Sequence, residues 1–275
     1  MKNIILIGHG RFGKILFEKL HAISGVNVNI TTRDYKEKIA GADWAIIATP
    51  VDTHTAIVRD CLDAGLNIFC EKPLDENPHE MESIFELARQ KNKKIYIDDV
   101  FLWREEYRRL KALSARPIEI SFRMTKHGTF NDSLLNAYAY HDLYMLLDLT
   151  RCAPITNLEI IKIESPLEKN RIDILEFTCM SRGVRVHCYY DRTKEKKEKT
   201  IVINSNIVWA NDTITIEDKK ETYQNQDALA LMLKSVLAEK ADFIYNNELA
   251  FKTTLIVNRM PKILQNTARE SKFIV

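Results

Sequence analysis

Three glycines within six residues, Gly8-His9-Gly10-Arg11-Phe12-Gly13, are the first residues whose types and spacing point to chemistry. In the order G-x-G-x-x-G the first glycine permits a tight turn, and the second lets a pyrophosphate approach the backbone. The third lets a helix pack closely on a strand, and the helix N-terminus offers its amides to phosphate oxygens. The chain holds only 8 glycines in 275 residues, and five of them precede residue 42. That scarcity makes the cluster a backbone requirement rather than background. The arrangement predicts dinucleotide binding, with Gly8, Gly10, Arg11, Phe12 and Gly13 at the cofactor; the plain alternative is a structural turn.

The end of the second strand chooses between the two nicotinamide cofactors. An acidic residue there accepts from a ribose 2′-hydroxyl, whereas a 2′-phosphate wants a cation. The chain offers Thr31-Thr32-Arg33-Asp34, with Arg33 twenty positions beyond Gly13. Thr32 and Arg33 suit NADP, the preferred reading, and Asp34 keeps NAD open. Two more motifs follow apolar segments: Ala48-Thr49-Pro50 with His54, and Cys70-Glu71-Lys72-Pro73-Leu74. Ligands of open α/β sheets bind at strand carboxyl ends. A lysine beside a bound cofactor can give a proton to a substrate oxygen or take one. A solvated lysine before a turn proline is the plain alternative for Lys72.

The elements that must position these residues alternate. Lys2–Ile7 predicts a strand, Gly10–Ser24 a helix, Val26–Thr31 a strand, Tyr35–Ala40 a short helix and Trp44–Ala48 a buried strand. Thr53–Ala64 reads as a helix closed by Gly65, Asn67–Cys70 as a strand, Pro78–Asn92 as a helix and Lys94–Ile97 as a strand. This alternation implies βαβ units and a parallel sheet. After about residue 115 the texture changes. Strands are predicted over Ile118–Thr125, Leu158–Glu164, Asp173–Met180, Val184–Tyr190, Thr200–Asn204 and Thr213–Glu217. Helices are predicted over Asn131–Thr150, Gln226–Glu239 and Glu248–Ala268, and Arg192–Lys199 is expected to be a solvated hairpin loop. The expected fold class is therefore α/β, a Rossmann domain over 1–115 and an α+β domain with an open, mainly antiparallel sheet over 116–275.

Together these motifs resemble the Gfo/Idh/MocA family of NAD(P)-dependent oxidoreductases. The glycine turn, Ala48-Thr49-Pro50 with His54, and above all Glu71-Lys72-Pro73-Leu74 carry the resemblance. In the second domain, Leu135-Asn136-Ala137-Tyr138-Ala139-Tyr140-His141-Asp142-Leu143 is similar to the segment in which the family opens a long helix with a His-Asp pair. The resemblance implies hydride transfer between nicotinamide and a carbinol or carbonyl carbon of a sugar, nucleotide sugar or related compound. It implies Lys72 and His141 as catalytic residues and Thr32, Arg33, Ala48, Thr49, Pro50, His54, Glu71 and Lys72 at the cofactor. It implies Trp103, Arg104, Tyr138, His141 and Asp142 at the substrate; an exposed helix start is the plain alternative for Trp103 and Arg104. It also implies a homodimer or homotetramer through the outer sheet face, with Val184, Val186 and Tyr190 as outward apolar candidates. The chain departs from the family pattern at Ala137 and Tyr144, where many members carry aspartates. Asn136, Tyr138 and Asp142 are the candidate substitutes. The span from Thr31 to Trp44 is also too short for the strand and helix that many members place there. The Ala137 departure keeps an imine or C=C reductase as an alternative, and a non-catalytic NAD(P) sensor is a second one.

Composition narrows the field. Lys+Arg 40 against Asp+Glu 38 gives a net charge of +2, which argues for neither nucleic acid nor an anionic membrane. No apolar run reaches a membrane span, and the N-terminal run ends in glycines rather than a cleavage site. The five cysteines contain no C-x-x-C pair and are expected to be reduced thiols of a cytoplasmic protein. No metal-ligand spacing occurs. Tyr107 and Lys111 fit Tyr-x-x-x-Lys, but such a match is expected by chance in a chain with 10 tyrosines and no suitably placed serine.

Overall fold

The computed structural model describes residues 1–114, 117–128, 132–169, 171–223 and 226–270. Packing divides them into two compact units, Met1–Trp103 with Asp227–Leu255, and Arg104–Gln226 with Ile256 onward. This differs from the sequence expectation in two respects. The first unit stops at Trp103 rather than at residue 115, which lies outside the described residues. A late segment also returns to it.

In the first unit, strands β1 (Lys2–Ile7), β2 (Val26–Thr31), β3 (Trp44–Ile47), β4 (Asn67–Cys70) and β5 (Ile95–Ile97) form a parallel sheet in the order β2-β1-β3-β4-β5. This is the Rossmann order without the outermost strand beyond β2. Only a short 3₁₀ turn, Tyr35–Glu37, stands in that interval, where a short helix through Ala40 was expected. The inner parts of β1, β3, β4 and β5 are apolar runs because helices cover both faces, whereas the edge strand β2 alternates apolar and polar residues. Helix α1 (Arg11–His21) buries Leu16 and Leu20 on one face, and α2 (Val51–Asp63) and α3 (Pro78–Gln90) pack together.

Helix α4 (Glu105–Leu113), which periodicity did not single out, opens the second unit. The late segment that rejoins the first unit is α6 (Ala228–Leu237), which follows α5 (Tyr140–Leu149) in the chain. Its Leu229, Met232, Leu233 and Val236 join Leu16, Leu20, Trp44 and Phe69 in one core. Each such side chain contributes roughly 1.5–3 kcal/mol when buried, so α6 is part of the Rossmann core. Helix α7 (Phe243–Glu270) begins beside it, and its Asn246 closes the exposed edge of β5. The amide oxygen of Asn246 accepts from Ile97 N–H at 2.8 Å, and its Nδ2 donates to the Ile97 carbonyl at 2.9 Å.

The second unit holds β6 (Glu119–Thr125), β7 (Ile155–Glu164), β8 (Ile174–Ser181), β9 (Val184–Asp191), β10 (Glu198–Ile203), β11 (Ile207–Ala210), β12 (Thr213–Ile216) and β13 (Lys219–Thr222). They form one sheet, β13-β12-β11-β10-β6-β9-β8-β7, antiparallel except for the β6–β9 pair. Val184, Val186 and Tyr190, expected outward, are buried, and Arg185 and His187 take the outward positions. Register explains this, since Ile120 and Met124 oppose Val186 and Tyr190 on the covered face. The expected solvated loop also needs correction: Arg192 is fully buried and Glu198-Lys199 begins β10. All five cysteines are buried. Burial pushes the Cys61 and Cys179 thiols up to about 12. No helix among the described residues is long and apolar enough to cross a membrane.

Candidate active site

The glycine turn lies where β1 ends and α1 begins. Gly8 has φ +104°, and a Cβ on it would fall 2.3 Å from the Ala48 carbonyl oxygen. A Cβ on Gly13 would fall 2.2 Å from the Gly8 carbonyl oxygen, whereas one on Gly10 would meet no atom within 4 Å. Two glycines are thus required by the protein's own packing. The middle one leaves open space at the N-cap of α1, whose first turn has no acidic residue. That space and those amides fit a pyrophosphate.

Successive strand ends are stapled side by side. Gly8 N–H donates to Thr31 O at 3.0 Å, Ala48 N–H to Ile7 O at 2.9 Å, Glu71 N–H to Ile47 O at 3.0 Å and Asp98 N–H to Cys70 O at 2.9 Å. Every strand-end motif of the first unit therefore sits on one rim of the sheet. β1 lies between β2 and β3, which makes the crevice between β1 and β3 the switch point of the winding. Beyond β2, Thr31 is buried and Thr32, Arg33 and Asp34 are exposed. Neighbouring Tyr35 donates to Asp60 at 2.6 Å, and Lys36 pairs with the same carboxylate at 3.0 Å. Arg33 has no such partner among the described residues, which suits a 2′-phosphate.

His54 was expected at the cofactor, but both its ring nitrogens are used inside the protein. Nδ1 lies 2.9 Å from Pro73 O and Nε2 lies 2.8 Å from Thr49 O. The ring ties the Ala48-Thr49-Pro50 turn to the Glu71-Lys72-Pro73 turn, and burial lowers its pKa. The Lys72–Pro73 peptide is cis. Lys72 stands partly exposed just beyond β4, next to Glu71, whose Oε1 is shut off from solvent without a partner. The Glu71 carboxyl is hydrogen-bonded to Asp98, and burial together with that neighbour raises it well above the usual carboxylate range. Asp98 is raised as well, chiefly by burial, and its Oδ1 accepts from Val100 N–H at 3.0 Å. Trp103 donates from Nε1 to Tyr96 OH at 2.9 Å.

In the second unit a π-helical turn, Leu135–Ala139, leads directly into α5 at Tyr140-His141-Asp142. Such turns recur at functional sites because the extra residue re-aims the side chains that follow. His141 is partly exposed and meets the Tyr140 ring edge-on, with centroids 6.5 Å apart. Asp142 turns inward, 1% exposed, and pairs with Lys199 Nζ of β10 at 3.1 Å. Burial raises the Asp142 carboxyl and lowers the Lys199 ammonium. Tyr138 is buried and its hydroxyl donates to Lys126 O at 2.6 Å. Arg104, expected at the substrate, bonds Glu106 at 2.9 Å and Asp212 at 2.7 Å, and lies over the Trp209 ring. Tyr107 and Lys111 both bond Asp148, at 2.6 and 2.8 Å, so their spacing serves a buried ion pair. Sequence reasoning missed Lys199, which it placed in a loop, and gave Asp98 no role. Only strand register signals either.

Residues 17–98 match the GFO_IDH_MocA family, described as an oxidoreductase family with an NAD-binding Rossmann fold. The inositol 2-dehydrogenase of Rhizobium meliloti (strain 1021) is 27% identical over 112 residues, covering 34% of this chain and 34% of that protein. The match thus spans about a third of that relative's length. Among solved structures, the UDP-N-acetylglucosamine 3-dehydrogenase GnnA of Acidithiobacillus ferrooxidans superposes with a TM-score of 0.78 at 16% identity, covering 94% of this chain and 96% of its own. The biliverdin reductase of Synechocystis sp. PCC 6803, solved with biliverdin and NADP+, gives 0.73 at 12% identity, over 94% and 98%. These structures share the fold. Through residues 17–98, the chain is similar to the GFO_IDH_MocA oxidoreductase family.

Proposed function

We propose that this protein is an NAD(P)-dependent oxidoreductase acting on a carbinol or carbonyl carbon of a sugar, nucleotide sugar or related small molecule. The observation that carries the reading is the open space at Gly10, on the same sheet rim as Lys72. Gly8, Gly10, Arg11, Phe12 and Gly13 would hold the pyrophosphate, with Ala48, Thr49 and Pro50 on the next strand end. Thr32 and Arg33 favour NADP. When bound, the nicotinamide supplies or accepts the hydride. Lys72 delivers the proton to a developing alkoxide, or removes it from a hydroxyl in the reverse direction, and His141 is the second proton-transfer group. The substrate class is supported by the names of two relatives, an inositol and a nucleotide-sugar dehydrogenase.

A specific observation favours a second reading. Ala137 brings no carboxylate to the π-helical turn, and Asp142 is buried against Lys199 rather than beside His141 in the open. Reduction of an imine or C=C bond needs less from that position, and one neighbour of the fold is named a biliverdin reductase. The test is a substrate panel read by cofactor absorbance, followed by single-turnover hydride transfer. General acid–base catalysis is worth about 10²–10⁴-fold. Lys72→Met should lower kcat by about a hundredfold or more with nucleotide affinity retained, and His141→Ala should lower it less. Near wild-type turnover in Lys72→Met would remove the mechanism.

A further inference from the structure

Glu71 and Asp98 follow neighbouring strands whose last residues, Cys70 and Ile97, are register partners. The backbone bond from Asp98 N–H to Cys70 O holds them level, so two carboxyls meet at one point of the rim. Asp98 is 5% exposed, and the Glu71 Oε1 atom is out of reach of solvent. Two ionised carboxylates side by side in such a place would repel without water to screen them and could not hydrogen-bond, whereas two carboxyls that share a site retain a proton, which one donates to the other. We infer that Glu71 and Asp98 share a single proton and act together as one monovalent counter-ion for Lys72. Asp98 is thereby a positioning residue of the reaction, acting through Lys72 rather than on the substrate.

The charges facing the pair allow this. Lys72 is the cation whose charge both carboxyls feel. Cys70 and Tyr96 also face it, and burial raises both, so the thiol and the phenol stay neutral around pH 7. Asp99 acts on Tyr96, and His54 reaches the same turn at the Pro73 carbonyl. One negative charge keeps Lys72 an ammonium, ready to donate. Two would hold its proton more tightly, and none would let it drift toward the neutral amine.

The role in catalysis rests on the oxidoreductase reading, whereas the shared proton does not. Both are separable by experiment on the full chain. Isotope-edited infrared spectra of the unaltered protein at neutral pH should contain a protonated-carboxyl band that disappears in Glu71→Gln and in Asp98→Asn. The pKa of Lys72, read by NMR of the ¹³C-methylated amine and assigned with Lys72→Arg, gives an independent count of charge. Each single variant leaves one carboxylate and should leave that pKa nearly unchanged. The double variant leaves none and should make Lys72 about tenfold more acidic, a change of about one pKa unit. No protonated band, or an equal drop in Lys72 pKa in each single variant, would mean two ionised carboxylates and overturn the proposal. Should the double variant not fold, the band and the two single variants still decide. With a substrate in hand, the double variant should shift the pH profile of kcat toward lower pH, whereas Asp98→Asn alone should leave it in place. An unshifted profile in the double variant would overturn the positioning role. Undiminished turnover in Lys72→Met with the band present would instead remove the catalytic reading and leave the pair standing.

Discussion

Gly13 lies so close beneath Gly8 that a Cβ built on it would fall 2.2 Å from the Gly8 carbonyl oxygen, while Gly10 between them faces open space. One motif therefore holds two kinds of glycine. Gly13→Ala should destabilise the protein by about 1–3 kcal/mol, because backbone has to move to admit a methyl group. Gly10→Val should abolish NAD(P) binding in calorimetry while changing unfolding stability by no more than about 0.5 kcal/mol. Unchanged nucleotide affinity in Gly10→Val would place the cofactor elsewhere.

The proposed preference for NADP rests on Arg33, which is exposed beyond β2 and has no carboxylate partner among the described residues. A charge-assisted contact to a phosphate is worth about 1.5–3 kcal/mol. Arg33→Ala should thus weaken NADP by a factor of about ten or more and leave NAD nearly unaffected. Equal losses for both would make Asp34 the discriminating residue.

His54 makes a pH prediction. Burial holds its pKa below the ordinary 6.5, so the unfolded chain takes up a proton at a pH where the folded one does not. Stability from this group is present above the ordinary value and is lost as pH falls toward the folded value. Urea midpoints measured from pH 7 down to about pH 5 should fall less steeply in His54→Gln than in the unaltered protein. Parallel curves would show that the ring does not titrate as a buried group.

Breaking the Asp142–Lys199 pair leaves a buried charge without its partner. Asp142→Ala should cost about 3–5 kcal/mol, and replacing both residues with apolar ones of similar volume should recover much of that loss. A double-mutant cycle on unfolding free energies reads the coupling directly. Additive losses would mean that the two side chains act independently.

Much of the first unit was legible from local pattern. Strands Val26–Thr31 and Asn67–Cys70 begin and end where expected, and the glycine order Gly8-Gly10-Gly13 stands at the predicted strand-to-helix turn. These features depend on backbone conformation and on the run of apolar residues, both written within a few positions of each other. The strand-end motifs could be placed on one rim because parallel alternation puts every carboxyl end on the same side. What a side chain does there was harder to read. His54 matched a motif, yet tertiary contacts use its two nitrogens to tie turns together.

Features set by distant partners were decided only in three dimensions. Alternation shows that Val184, Val186 and Tyr190 share a face, but not which face of the sheet is covered. Ala228–Leu237 reads as an apolar helix, and nothing within it says that it packs against β-strands some two hundred positions earlier. Arg192 and Lys199 look like solvated loop charges until strand pairing carries them inside. Asp98 meets Glu71 across twenty-seven residues because β4 and β5 lie in register. Local composition specifies what each segment can form. Which titratable groups share a low-dielectric point is set by pairing across the chain, and there the tertiary structure alone decides their charge.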